Sequence, residues 1–341
     1  MRNLIDWHLL PDDVWEHRIE AALRAASSER IHPVAAGRAI ALVFFNSSLR
    51  TRTSMEIAAV RLGAHATPVM PGQGTWGFAW EDGIVMGGSE AEHIQEAVGV
   101  LSRYYDAIGV RLFASLSDRA ADRDETKLHR FVRAADVPVV NLESAFWHPC
   151  QALADAATIT ERFKGNPAGK KFVLTWAHHP KALPTAVPNS ALLAAARLGM
   201  HVTIARPDGY QLDPSVMAHA HAYAAARGTM IEETDNQDVA CEGADIIYAK
   251  SWAGGLVYEV PEAEDALRRS LVHWRVTPER MACTNNAAFM HCLPVRRNVV
   301  VDDAVLDSPA SIHLRQAEYR LYAQQAILTW MWDLPDAGAG R

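Results

Sequence analysis

Cysteine is scarce: four residues in 341, at Cys150, Cys241, Cys283 and Cys292, with no CxxC pair and no zinc spacing. Neither a disulfide scaffold nor a structural metal is indicated, and the four are read as thiols of which at most one matters to chemistry. A basic excess is missing too, since 33 Lys plus Arg stand against 40 Asp plus Glu and the formal charge is -7. That excludes the electrostatic footprint of a nucleic-acid binder and turns local basic clusters into candidate sites for small anions. No apolar run reaches the roughly 18 residues of a membrane span. The start, Met1-Arg2-Asn3-Leu4-Ile5-Asp6, lacks the apolar core of a signal peptide. The expectation is a soluble, cytoplasmic protein with no membrane and no nucleic-acid partner. A GxGxxG after a strand is also absent, which argues against a dinucleotide-dependent dehydrogenase. No repeat or low-complexity block was found.

What is present is alternation. The length favours two domains or one large α/β domain, and strand-length apolar runs alternate with helix-period stretches throughout, as in parallel sheets covered by helices. Residues 39–45 predict a buried strand, and Met55, Ala58, Ala59 and Leu62 a helix that Gly63 stops. Ile94, Ala97, Val98 and Leu101 mark a second helix leading to a strand at 107–110, and another strand is expected at 137–140. Pro149 suits a first helical position, opening a helix to Phe163, after which strands at 171–176, 202–205 and 245–249 alternate with helices at 189–198 and 214–227. A last helix is expected from Leu314 to Trp332, then a disordered tail, Asp336 to Arg341. The fold class is α/β: two doubly wound parallel-sheet domains, 1–147 and 148–313, with the C-terminal helix 314–332 packing back on the first.

Between the first strand and its helix lies Asn46-Ser47-Ser48-Leu49-Arg50-Thr51-Arg52-Thr53. Its backbone N–H groups sit at a helix N-terminus, where anions bind, and a guanidinium fork matches phosphate oxygens in pairs. A dianion can be held there without a metal; a solvated helix start capped by serines is the bland alternative. Ser48-Leu49-Arg50-Thr51-Arg52 resembles the SxRTR carbamoyl phosphate signature of the aspartate and ornithine carbamoyltransferase family. Three further features match in order along nearly the whole chain: Arg111 after the strand Ile108-Gly109-Val110, His148-Pro149-Cys150-Gln151 as HPxQ, and His291-Cys292-Leu293-Pro294 as HCLP.

The resemblance implies roles. Ser48, Leu49, Arg50 and Thr51 would hold the phosphate, while Arg111, His148 and Arg320 would approach the carbonyl oxygen, where charge develops as an amine attacks. Gln151 and the backbone carbonyls of Cys292 and Leu293 suit the carbamoyl NH₂, a donor. His291 and Cys292 are candidate bases, although a histidine ending an apolar strand is as often structural. Trp76, in the glycine-rich 72–77 loop, is a surface anchor on the bland reading; in the acylornithine branch of the family a tryptophan here enters the neighbouring subunit's site, which implies a homotrimer. No cofactor and no metal is called for.

The DxxxSMG-type loop of ornithine carbamoyltransferases is missing. Thr175-Trp176-Ala177-His178-His179-Pro180-Lys181, Tyr248-Ala249-Lys250-Ser251-Trp252 and Arg296-Arg297 are similar instead to the N-acetylornithine and N-succinylornithine enzymes. That likeness implies an acylornithine pocket lined by Ala91, Glu143, His179, Lys250 and Arg296, with His178 structural. Lys250 read alone is a solvated lysine at a strand end. Acetyl enzymes carry Glu-Glu-His and succinyl enzymes Pro-Glu-His where this chain has Ala91-Glu92-His93; residues 182–184 and 187–190 resemble the succinyl type, and Val300 stands where some acetyl enzymes have lysine. A missing like charge favours a succinyl carboxylate, with the acetyl substrate the alternative. A non-catalytic metabolite-binding relative is the remote alternative.

Overall fold

Burial of the run Ile40-Ala41-Leu42-Val43 is complete, and at about 1.5–3 kcal/mol for each fully buried large aliphatic side chain this segment anchors a sheet. The computed structural model describes residues 1–28 and 31–338. The chain forms two compact units, the first of Met1–Ser115, Ala120–Leu153 and the residues from Tyr319 on, the second of Leu116–Arg119 and Ala154–Glu318.

In the first unit the order is α1 (Asp12–Ala26), β1 (Ala39–Phe44), α2 (Arg50–Arg61), β2 (His65–Val69), β3 (Phe78–Ala79), β4 (Glu92–His93), α3 (Ile94–Tyr104), β5 (Ala107–Arg111), α4 (Arg119–Arg123), α5 (Thr126–Ala134), β6 (Val139–Glu143) and the start of α6 (Pro149–Arg162). Four parallel strands run in the order β2-β1-β5-β6. From β1 the chain goes to one side of the sheet and returns on the other, so β1 and β5 flank a switch point, the place where doubly wound sheets bind ligands. Gly63 sits at φ +78°, and a Cβ there would come within 2.9 Å of Pro33 Cβ; only glycine closes α2 this way. The N-terminal segment joins the sheet edge, Leu4 N–H donating to Val139 O at 2.9 Å and Asn141 N–H to Leu4 O at 2.8 Å.

The second unit continues with β7 (Lys171–Trp176), α7 (Ala186–Arg197), β8 (His201–Ala205), α8 (Pro214–Arg227), β9 (Ile231–Thr234), α9 (Gln237–Cys241), β10 (Ile246–Lys250), α10 (Pro261–Ser270), α11 (Pro278–Ala282), β11 (Ala288–Met290) and α12 (Asp303–Leu306). Its strands are also parallel, ordered β11-β10-β7-β8-β9, with the switch point between β7 and β10. Every residue of α7 is buried, and its alanines let it pack closely against its neighbours. Asp213 caps α8, whose first residue is Pro214 and whose end is Gly228 at φ +69°, the pairing that helix termini favour.

The last helix, α13 (His313–Met331), enters the first unit at Tyr319, where Trp332 Nε1 donates to Asp106 O at 3.2 Å. The expected tail disorder is wrong for its first half. Asp336 takes hydrogen bonds from Arg18 at 2.6 Å and Arg24 at 3.0 Å, and Ala337 is buried; Ala339 to Arg341 lie outside the described residues. Two paired arginines hold a stretch whose small residues and terminal place suggest disorder. Among the described residues, no helix is long and apolar enough to cross a membrane.

Candidate functional site

In the first unit, the ends of β1, β5 and β6 carry the residues singled out by sequence. The turn after β1 is closed by Thr51 N–H donating to Ser48 Oγ at 3.2 Å, and Asn46 Oδ1 accepts Phe113 N–H at 2.8 Å, tying this turn to the chain beyond β5. Leu49 leaves its side chain 74% exposed, which fits a contribution through backbone alone. Arg52, the second arginine of the motif, pairs with Glu56 one turn on, as helix-surface charges do.

Thr51, Arg111, His148, Gln151 and Arg320 are all buried. Arg320, reaching in from α13, donates to Gln151 Oε1 at 2.7 Å and to Thr51 Oγ1 at 2.9 Å. Arg111 ends β5; it is ion-paired with Glu143, lies 3.5 Å from Thr51 Oγ1 and stacks on Phe113 with 4.3 Å between guanidinium and ring centre. Among the described residues its buried Nε has no hydrogen-bond partner, and an unsatisfied buried donor costs about 1–3 kcal/mol. His148 Nε2 lies 3.3 Å from the same Glu143 oxygen. Glu143, assigned by resemblance to an acylornithine pocket, thus sits against the arginine and histidine assigned to the carbonyl. Its place at the end of β6, next to β5 in the sheet, is the cause; no spacing in the sequence announces that neighbourhood. Cys150 is fully buried beside Asn141 O, and burial pushes its thiol up to about 11, against the lowering effect of Arg320. It is a protonated packing residue at neutral pH.

Trp76 is 56% exposed, its indole N–H held by Glu92 at 2.6 Å. Ala91 is exposed, at the end of an exposed run from Glu81 that includes Ile84, Val85 and Met86. Arg130 from α5 grips the start of this run through Trp80 O and Glu81.

In the second unit, His179 follows β7 and Lys250 ends β10, the two strands that flank the switch point. Arg296 Nε donates to His179 Nε2 at 3.0 Å, which requires that nitrogen to be unprotonated, and the other ring nitrogen lies 2.9 Å from Lys181 O. Burial lowers the imidazole to about 4, helped by Arg296, Lys250 and Arg268 against the hydrogen bond to Lys181 O. A neutral histidine flanked by cations is a seat for a carboxylate. His178 is structural: its ring meets Arg268 O at 3.1 Å and packs edge-on to Trp176. Tyr248 and Trp252, on either side of Lys250, are core residues, Trp252 donating to Tyr210 O at 2.9 Å.

His291 is buried, and its Nδ1 accepts the Leu293 N–H at 2.8 Å while its own N–H goes to Gln316. Those bonds fix the turn carrying the carbonyls of Cys292 and Leu293 and give His291 a structural task. Leu293 holds φ +59°, a strained conformation that such supports make tolerable.

The carbamoyl-P binding domain model of the aspartate/ornithine carbamoyltransferases matches residues 2–161, and the Asp/Orn binding domain model residues 184–331. An N-acetylornithine carbamoyltransferase of Xanthomonas campestris pv. campestris is 46% identical over 86% of this chain and 86% of its own. An N-succinylornithine carbamoyltransferase of Bacteroides thetaiotaomicron is 41% identical over 85% and 86%. A crystal structure of an N-acetyl-L-ornithine transcarbamylase glutamate-to-alanine mutant, complexed with carbamyl phosphate and N-succinyl-L-norvaline, superposes with a TM-score of 0.93 at 41% identity, covering 97% of this chain and 100% of that one. The chain belongs to the aspartate/ornithine carbamoyltransferase family, in its N-acylornithine branch.

Proposed function

We propose that the protein transfers the carbamoyl group of carbamoyl phosphate to the side-chain amine of N-succinyl-L-ornithine, giving N-succinyl-L-citrulline and phosphate, as a cytoplasmic homotrimer of arginine biosynthesis. The observation that carries the reading is the buried cluster of Arg111, Arg320, Thr51, Gln151 and His148 at the switch point of the first sheet. Ser48, Leu49, Arg50 and Thr51 hold the phosphate. The amine nitrogen bonds to the carbonyl carbon, the oxyanion that forms is met by Arg111, His148 and Arg320, and the bond to the phosphate oxygen then breaks. Donors aimed at charge that exists only in the transition state raise kcat. Gln151 gives Oε1 to Arg320 and keeps a second lone pair for the carbamoyl NH₂, which Cys292 and Leu293 carbonyls also suit. The amine must arrive neutral, at a cost of about 4.6 kcal/mol at pH 7 for a group of ordinary pKa, and the departing phosphate takes its last proton.

His179, Lys250 and Arg296 bind the acyl acceptor, with Glu143 and Ala91 completing that set, and Trp76 reaches the site of a neighbouring subunit. Two supports favour succinyl over acetyl. Ala91 stands where the acetyl type carries an acid, and a relative with one glutamate replaced by alanine holds N-succinyl-L-norvaline. The test offers ornithine, N-acetylornithine and N-succinylornithine in parallel with radiolabelled carbamoyl phosphate. Label in succinylcitrulline at the highest kcat/KM is expected, and Ala91→Glu should cut that constant relative to acetylornithine by at least about tenfold, against an upper bound of about 4 kcal/mol for like charges near 4 Å. A wild type that prefers acetylornithine refutes the acyl assignment; no carbamoylation of any of the three refutes the reaction.

A further inference from the structure

The turn Ser144–Trp147 delivers His148, and one carboxylate braces it from outside. Glu125 accepts the Phe146 N–H at 3.0 Å. The turn is otherwise closed on itself, Ser144 N–H donating to Trp147 O at 2.9 Å and Trp147 N–H to Ser144 Oγ at 3.2 Å. On its far side Trp7 donates to Pro149 O at 2.8 Å, and the His8 ring, held by Asp6 at 2.7 Å, lies 4.6 Å from Trp147.

Two features separate Glu125 from an ordinary capping acid. It is 5% exposed, and among the described residues no cation is ion-paired with it; the charged group it feels is the like-charged Asp6. Its backbone sits at φ +47°, ψ +40°, the left-handed region that a residue with a side chain occupies at a cost. Strain and an unmatched buried acid both oppose folding, and such features persist where the surroundings over-determine them, most often beside functional sites.

We infer that Glu125 is a positioning residue, whose carboxylate fixes the Ser144–Trp147 turn and thereby keeps His148 Nε2 at its 3.3 Å distance from Glu143, beside Arg111. The inference rests on the role proposed for His148. Glu125 touches no reacting atom; what the geometry asks of it is an acceptor oxygen at the right reach. Glutamine supplies that oxygen without charge, whereas aspartate keeps the charge but falls short by one carbon–carbon bond, about 1.5 Å. A displacement near 1 Å at a catalytic group costs on the order of 100-fold in rate.

The experiment measures kcat and both KM values for full-length E125Q, E125D, H148A and E125D/H148A, with circular dichroism to verify folding. E125Q should stay within about threefold of wild-type kcat, and E125D should lose at least about tenfold in kcat with KM changed by less than about threefold. Because the effect passes through His148, E125D/H148A should be no slower than H148A, the non-additivity of residues acting as a unit. Should E125D not fold, Glu125→Met, of similar volume and without an oxygen, carries the same expectations. Wild-type kcat in E125D, equal impairment in E125Q and E125D, or losses that multiply in the double variant each overturn the inference while leaving the proposed reaction intact. A wild-type rate in H148A overturns the reading of His148, and the inference with it.

Discussion

Replacing Glu125 by glutamine should change how stability depends on pH, separately from any effect on rate. Burial pushes the Glu125 carboxyl up from 4.5 to about 7, with Asp6 adding to the rise and hydrogen bonds from Ser144 and the Phe146 and Trp147 backbone opposing it. The folded chain therefore holds this proton more tightly than the unfolded chain does. That contribution to stability is fully present below about 4.5 and is lost as the pH rises through about 7. At about 1.36 kcal/mol per pH unit, the interval amounts to about 3 kcal/mol. Glutamine cannot ionise, so its advantage over wild type should grow by about 2–3 kcal/mol between pH 5 and pH 8.5. With about 2–4 °C of Tm per kcal/mol for a unit of this size, the gap should widen by roughly 5–10 °C. Calorimetric scans of both proteins across that range measure it, since every other titration is common to the pair and cancels in the difference. Parallel Tm curves would mean that Glu125 is ionised with little penalty, and that its surroundings are wetter than 5% exposure implies.

Arg50→Ala should remove two charge-assisted bonds to phosphate and lower kcat/KM by at least on the order of 100-fold; near-normal kinetics in a folded variant count against the phosphate assignment. Arg296→Met should let the His179 imidazole rise toward the ordinary histidine range, since Arg296 is one of the cations holding it down, and should raise KM for the acyl acceptor more than it lowers kcat. An NMR titration of the ring protons tests the first part, and an unmoved His179 would assign its depression to burial alone. Mixing inactive Trp76→Ala and Arg50→Ala chains should regenerate activity in hybrid trimers; verified exchange without recovery would confine each site to one chain.

The elements easiest to read were those with one dominant cause. The strand at 39–44 is uninterrupted apolar sequence, and α8 runs from Pro214 to Arg227 with an acidic cap before it and glycine after it. The strand expected at 137–140 begins two residues later and ends at Glu143, because its residues are held by partners far away in sequence: Asn141 donates to Ile5 O, and Val139 N–H to Asn3 Oδ1. No local rule contains those partners. The same limit applies to the site. Arg50 and His148 are legible because they stand in contiguous motifs, whereas Arg320, which meets Thr51 across 269 positions, was named only through resemblance and its contact with Thr51 not at all. Glu125 was invisible, since an acid in a charged stretch normally faces water and nothing local predicts 5% exposure.

Charge matching connects the two halves of the proposed chemistry. Arg111 is ion-paired with Glu143, which leaves the charges of Arg50 and Arg320 for the carbamoyl phosphate dianion of the proposed reaction. Glu143 lowers the cost of holding Arg111 buried. In the second unit, Lys250 and Arg296 carry two charges while His179, lowered to about 4, carries none at neutral pH. Two cations suit the two carboxylates of a succinylated ornithine, whereas an acetylated one offers a single carboxylate and would leave one charge unmatched. The neutral histidine matters to that count: its Nε2 accepts from Arg296 and aims the guanidinium, which a protonated ring would instead repel.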